Sequence, residues 1–226
     1  MTRRWIIILV VAAGLVSLIR HAPLAWIAGW LPDGIGPVTG TYWTGQISHV
    51  PLLGDVAVDG QLSHVKLATA PGDVTFRGDV RLDGVSDLVL SMPVSRLPMS
   101  DTRLAGLSGR FNLRIDDAQI ADGQCERATG QASTDVLAAN RVRFDWSGPE
   151  LSGPVDCIDG RLRVRLSGED DGARVSATVL TGMDGTYRSD IVVTSSDPVA
   201  GNALALFGFT PDGSGGYTLS EQGRWR

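Results

Sequence analysis

Residues 74–82 read VTFRGDVRL, and Val74, Phe76, Gly78, Val80 and Leu82 alternate with Thr75, Arg77, Asp79 and Arg81. In an extended chain successive side chains point to opposite faces, so this is a strand with one apolar and one charged face. The same alternation returns in Gly109–Ile115, where Phe111, Leu113 and Ile115 oppose Arg110, Asn112 and Arg114. It returns again in Gly160–Leu166, where Leu162, Val164 and Leu166 oppose three arginines. Asp83-Gly84 and Asp184-Gly185 mark tight hairpins beside such runs, and Asp59-Gly60 is read the same way between Val56–Val58 and Leu62–Ala70.

Further strands are expected over Val38–Ile47, Leu88–Met92, Gln124–Ala132, Arg141–Trp146, Ala173–Thr181, Thr186–Thr194 and Tyr217–Trp225. Pro93 and Pro98 interrupt the pairing, with a loop or one helical turn between them. The one helix expected in this part of the chain is Pro198–Phe207, with Asp197 before it, Pro198 in its first turn and Gly208 at its end. Ten to twelve one-sided strands cannot be covered by one ten-residue helix, because strands lie about 4.8 Å apart. The sheet must curl on itself, as a sandwich, a barrel or a half-barrel. Its concave lining is expected to include Phe76, Val80, Phe111, Leu113, Leu162 and Val164, and an unclosed curl would leave a groove and free edges able to hold a lipid or another chain's strand.

Upstream lies Trp5–Ile19, WIIILVVAAGLVSLI, fifteen residues without a charge, flanked by Arg3, Arg4 and Arg20. As a helix it covers about 22 Å against a hydrocarbon core of about 30 Å. Snorkelling arginines and the aromatic pair Trp26 and Trp30 extend it, so the span is read as Arg4 to Trp26 with a bend at Pro23. A cleaved leader is the competing reading, but Ala22, Ala25 and Ala28 each lack a small residue two places earlier. Residues 1–30 are therefore expected to be a cytoplasmic start and transmembrane anchor, 31–37 a short linker, and 38–226 one exported β domain.

With Arg3, Arg4 and Arg20 set aside, 25 Asp and Glu face 17 Lys and Arg, a net charge of about −8 that speaks against nucleic acid or anionic headgroups as the main partner. Cys125 and Cys157, the two cysteines of the chain, are expected to form a disulfide in an oxidising compartment. A pair of buried thiols is the alternative, while a metal site lacks a second Cys or a His at ligand spacing.

Catalytic patterns are scarce. His21, His49 and His64 are isolated, and Asp212-Gly-Ser214-Gly-Gly216 has neither the order of a serine-protease loop nor a G-x-S-x-G elbow. Glu169, Asp170 and Asp171 are consecutive, unlike the alternate ligands of a calcium loop. No phosphate-binding loop or dinucleotide fingerprint is present.

The order of several short blocks resembles type II secretion system protein N of Gram-negative bacteria. They are Val38-Thr-Gly40-Thr41-Tyr-Trp43-Thr-Gly45, then Leu107-Ser-Gly109, Gly123-Gln-Cys125, Ala128-Thr-Gly130 and Cys157-Ile-Asp-Gly160. Ala203-Leu-Ala-Leu-Phe-Gly208-Phe209 and Gly216-Tyr-Thr-Leu219 with Gly223 complete the series. The resemblance implies a bacterial inner-membrane subunit with a periplasmic β domain, no enzyme activity and no cofactor. It implies other inner-membrane secretion subunits, and the outer-membrane secretin, as partners, with Gly40, Thr41, Trp43 and Gly45 as a structural or interaction motif. The competing expectation from the apolar groove is a membrane-anchored lipid-handling protein of AsmA-like type; an envelope hydrolase is disfavoured for want of a motif.

Overall fold

The computed structural model describes residues 23–24, 35–61, 63–96, 106–144, 146, 148–170 and 172–224. The expected anchor lies outside these residues apart from Pro23 and Leu24. Among the described residues no helix is long and apolar enough to cross a membrane.

The described chain is a single antiparallel sheet of fourteen strands laid down almost in sequence order. They are β1 Val38–Gly40, β2 Gly45–Val50, β3 Gly54–Gly60, β4 His64–Thr69, β5 Thr75–Arg81, β6 Gly84–Pro93, β7 Arg110–Ala121 and β8 Gln124–Thr134. There follow β9 Leu151–Ile158, β10 Arg161–Asp170, β11 Ala173–Thr181, β12 Thr186–Ser195, β13 Thr210–Pro211 and β14 Gly216–Arg224. Each strand pairs with its predecessor, except that β14 lies between β12 and the two-residue β13. The sheet is open, with β1 at one edge and β13 and β14 at the other.

A meander puts alternate connections at opposite ends, and the two ends differ. At one end the turns are tight. Asp122-Gly123 and Asp159-Gly160 both have positive φ at both positions, the conformation of the primed hairpin turn that suits the strand twist. At the other end lie the long connections, β6 to β7, β8 to β9 and β12 to β14. These carry a 3-10 turn at Val94–Arg96, the four-residue helices α1 Val136–Ala139 and α2 Arg141–Phe144, and α3 Pro198–Leu206. The chain ends α3 with Gly208 in the left-handed region: Phe209 N donates to Leu204 O (3.2 Å) and Gly208 N to Ala205 O (3.1 Å).

The apolar face is continuous across the strands. Register places Phe76 beside Leu90, Leu90 beside Leu113 and Leu113 beside Ala132, and it places Val155 beside Val164 and Val164 beside Val179. The charged face carries cross-strand ion pairs such as Arg163–Asp156 and Arg81–Asp117. Curling follows from the cavity on the apolar face: Phe111 of β7 and Leu219 of β14 both line one space of about 330 Å³. Six strand spacings of about 4.8 Å would hold those strands about 29 Å apart in a flat sheet, so the sheet has to bend for both to line one space. Coiling also demands close backbone approach. A Cβ at Gly153 would overlap the carbonyl oxygen of Arg165 on β10, which is why a strand can carry glycine there.

Several expectations are corrected. Val38–Ile47 is not one strand but a hairpin, with Gly40 opposite Gly45. Asp59-Gly60 does not turn; both residues pair with β4, and the turn follows at Gln61 and Ser63, where Gln61 N donates to His64 O at 2.7 Å. Asp83-Gly84 is one place late, since Arg81 pairs with Gly84, and Leu82 sits at the tip wholly exposed rather than on the apolar face. Arg141–Trp146 contains a helical turn, not a strand, with Val142 exposed and Trp146 buried. Leu151–Ile158, which is not among the expected strands, forms one in spite of its Gly153-Pro154.

Candidate functional site

Two places gather side chains beyond what the sheet itself needs. The first is the joint at the hairpin end. Gly40, Thr41, Trp43 and Gly45 form the β1–β2 turn, where Thr41 N donates to Thr44 O at 2.9 Å and Thr44 N to Thr41 Oγ1 at 3.3 Å. The turn is braced on β3: Gly60 N donates to Trp43 O (3.2 Å), Tyr42 Oη donates to Gln61 O (3.0 Å), and the Tyr42 and Trp43 rings meet edge to face at 5.3 Å. Gly60 must be glycine because the Tyr42 carbonyl occupies the place of its Cβ.

Pro23 bridges to Thr41, and Leu24 is buried to 1 % exposure in a small cluster with Ile47 and Val58. A Cβ at Gly45 would stand 2.6 Å from Leu24 Cδ2, so this glycine makes the seat for Leu24. The expected span runs to Trp26; Leu24 instead packs on protein and the exposed Pro23 bridges to the hairpin, as the break expected at Pro23 allows. Gly36 N donates to Ser48 O and Ser48 N to Pro37 O, so the end of the expected linker is itself pinned along β2.

The second place is the cavity at the opposite end. The sheet supplies Phe111, Leu151, Val175, Ala177, Ile191, Val193 and Leu219, while the connections supply Val94, Leu107, Leu137, Trp146, Ala203, Leu204, Phe207 and Phe209 as its cover. Thr134 and Glu221 are its polar lining residues. Thr134 is committed to α1, accepting a bond from Val136 N at 3.3 Å. The cover is latched by Asn140, 4 % exposed, whose Oδ1 accepts from Ser108 N (3.0 Å) and whose Nδ2 donates to Ser108 O (2.8 Å) and Val136 O (2.6 Å). A buried amide with its bonds made fixes its neighbours firmly. The structure therefore provides the cover that the sequence reading found missing. The signal lay in Leu107, Trp146 and the α3 leucines, scattered through connections where no period reveals them.

All six residues expected to line the concave side lie on the apolar face. Phe111, Leu113, Leu162 and Val164 pack against the main core, and Phe111 also reaches the cavity. Phe76 and Val80, on β5, are not part of the cavity lining. Cys125 and Cys157 are joined, with Cα atoms 5.7 Å apart. They clip β8 to β9 where the ladder between those strands has stopped at Gly130 and Val155, and Cys125 N donates to Gly160 O at 2.9 Å.

The charged groups serve the outer face. Asp156 is held below the usual carboxylate range by hydrogen bonds and charge from Arg163, then Arg165, and Arg163 is raised in return. Asp117 is lowered by Arg81 and Arg127, and Asp190 by Arg188 and Ser220. Asp212, lowered by bonds from Ser214 and Gly216, spends its carboxylate on its own turn, and Ser214 Oγ donates to it at 2.8 Å. His64 lies 3.8 Å from Asp79, and His49 N donates to Asp55 at 3.0 Å. Among the described residues no three His, Cys, Asp or Glu side chains gather as metal ligands would.

The fold is thus an open antiparallel meander, curled over its apolar face and roofed at one end by its own connections. Residues 34–220, more than four-fifths of the chain, match the family model of type II secretion system (T2SS), protein N, and the chain belongs to that family. No curated protein and no solved structure matches the chain significantly. Membership indicates a role in type II secretion together with other components of that machinery.

Proposed function

We propose that this chain is a non-enzymatic subunit of the type II secretion machinery, tethered to the bacterial inner membrane by Trp5–Ile19 and holding another subunit through its periplasmic β sheet. Its N-terminus is cytoplasmic in this reading, and it needs no cofactor. The observation that supports it best is the burial of Leu24 against the Gly40–Gly45 hairpin. Ile19 and Pro23 are four residues apart, at most about 14 Å of extended chain. A sheet seated on Leu24 stays beside the end of the apolar run, with its hairpin end toward the bilayer and its roofed end outward. A tether so short suits a part that positions others, since it removes the freedom a long linker would leave.

Deleting the chain from a secreting strain should stop export of a reporter substrate from the periplasm, and a phosphatase fused within the β domain should be active. Normal export without the chain, or an inactive fusion, would refute the proposal. A second reading, lipid handling, is favoured by the apolar cavity, whose volume is at the lower limit of ligand sites. Native mass spectrometry of the full chain distinguishes it: one acyl-chain adduct, lost on filling the cavity with Leu204→Trp, would support it, and an adduct-free spectrum would remove it.

A further inference from the structure

We propose that the outer edge of β14, Leu219–Arg224, takes an extended segment of another protein as one more strand of the sheet, with that segment's inward side chains entering the cavity. The inference rests on the holding role proposed above and gives it a surface.

β13 covers the outer side of β14 only at Tyr217 and Thr218. From Leu219 to Arg224 no described strand pairs on that side, and Ser220–Arg224 are all exposed. Six residues give an edge about 20 Å long. Its backbone N–H and C=O groups are spaced for one kind of partner, another extended chain. At the opposite edge β1 has only three residues, and the Pro23–Thr41 bridge adjoins it.

Sheets ordinarily guard a free edge with proline, charged side chains (lysine above all) or a bulge. Between Leu219 and Arg224 there is neither Pro nor Lys, and the β12–β14 register runs without a break from Thr186–Arg224 to Thr194–Gly216. The edge has no bulge, and its charged residues are Glu221 and Arg224, so the strand that can add there has to suit those charges.

What lies beside it specifies the occupant further. Leu219 and Glu221 both line the cavity, so the residues placed across from them on an added strand face the same space. An apolar side chain opposite Leu219 would enter apolar surroundings. Glu221 has no ion-pair partner among the described residues, so a Lys or Arg beside it is the complementary choice. The occupant is therefore an extended segment with apolar residues at alternate positions and a basic residue among them, consistent with the acidic balance of the exported part.

A photo-reactive amino acid placed at Gln222 of the full chain, in secreting cells, tests this. An adduct mapped by mass spectrometry to an extended segment of that pattern in another protein is expected. It should be absent from the same probe at Arg127 on the charged face of β8, and reduced about tenfold by Glu221→Lys, a change at an exposed site that leaves the melting temperature unchanged. No adduct at Gln222, equal adducts at Arg127, or an adduct to a second copy of this chain would each overturn the proposal. If deletion of the chain stops secretion while Gln222 gives no adduct, the edge site falls and the holding role stands. If secretion continues without the chain, both fall.

Discussion

Replacing Cys125 and Cys157 together by alanine should destabilise the protein by about 3.7 kcal/mol through the chain-entropy effect of closing 33 residues into a loop. The site argues against compensation. Cys125 is 4 % exposed, and the β8–β9 ladder runs only from Gly130–Val155 to Thr134–Leu151. The hairpin ends of these strands keep the Cys125 N to Gly160 O bond, while the covalent tie is gone. Urea unfolding followed by circular dichroism reads the change. With a slope of about 2 kcal/mol per molar, the midpoint falls by nearly 2 M, and the slope itself rises because the unlinked denatured chain expands. Reduction of the unmutated protein should give the same shift, which separates loss of the bond from loss of the sulfur atoms. A shift below about 1 kcal/mol in both experiments, or two thiols alkylated in the unfolded, unreduced protein, would refute the reasoning.

Three further outcomes follow from the packing. Gly60→Ala, which sets a methyl group against the Tyr42 carbonyl, should cost about 1–3 kcal/mol in the same unfolding assay. Val142→Asp should change stability by less than about 0.5 kcal/mol, whereas Trp146→Ala, four residues on, should cost about 3–5 kcal/mol; equal effects would contradict the exposure of Val142 and the burial of Trp146. Asp156 has a lowered folded pKa, so its stabilising contribution is full above about pH 5 and fades as the pH falls through the folded value. Asp156→Asn should therefore lose about 1 kcal/mol at neutral pH and fall less steeply than the parent in acid, measured as the urea midpoint against pH.

The sheet was legible wherever a strand has one wet face. Thr75–Arg81, Ala173–Thr181 and Thr186–Thr194 alternate because each must satisfy a polar side and an apolar side at once. It was illegible where backbone crowding chose the residue. Gly60 looks like a turn glycine but yields to the Tyr42 carbonyl, and Gly153 beside Pro154 yields to Arg165 in the middle of the sheet. Six residues, Arg141–Trp146, are too few to tell a period of two from one of 3.6. The cysteine pair and the apolar face could be read directly. The joint and the roof could not, because Leu24, Asn140 and Trp146 acquire partners only when distant connections meet.

In the proposed role a short tether and a sheet, acting by position, make up the working part. Its most direct test is to replace residues 1–22 in the full chain by an unrelated single-span anchor, or by a leader that is cleaved off, and to measure secretion of a reporter in a strain lacking the natural chain. Near-normal secretion is expected with the foreign anchor and loss of secretion with the cleaved leader, at equal amounts of folded, disulfide-bonded sheet. Full secretion from the untethered sheet would contradict it.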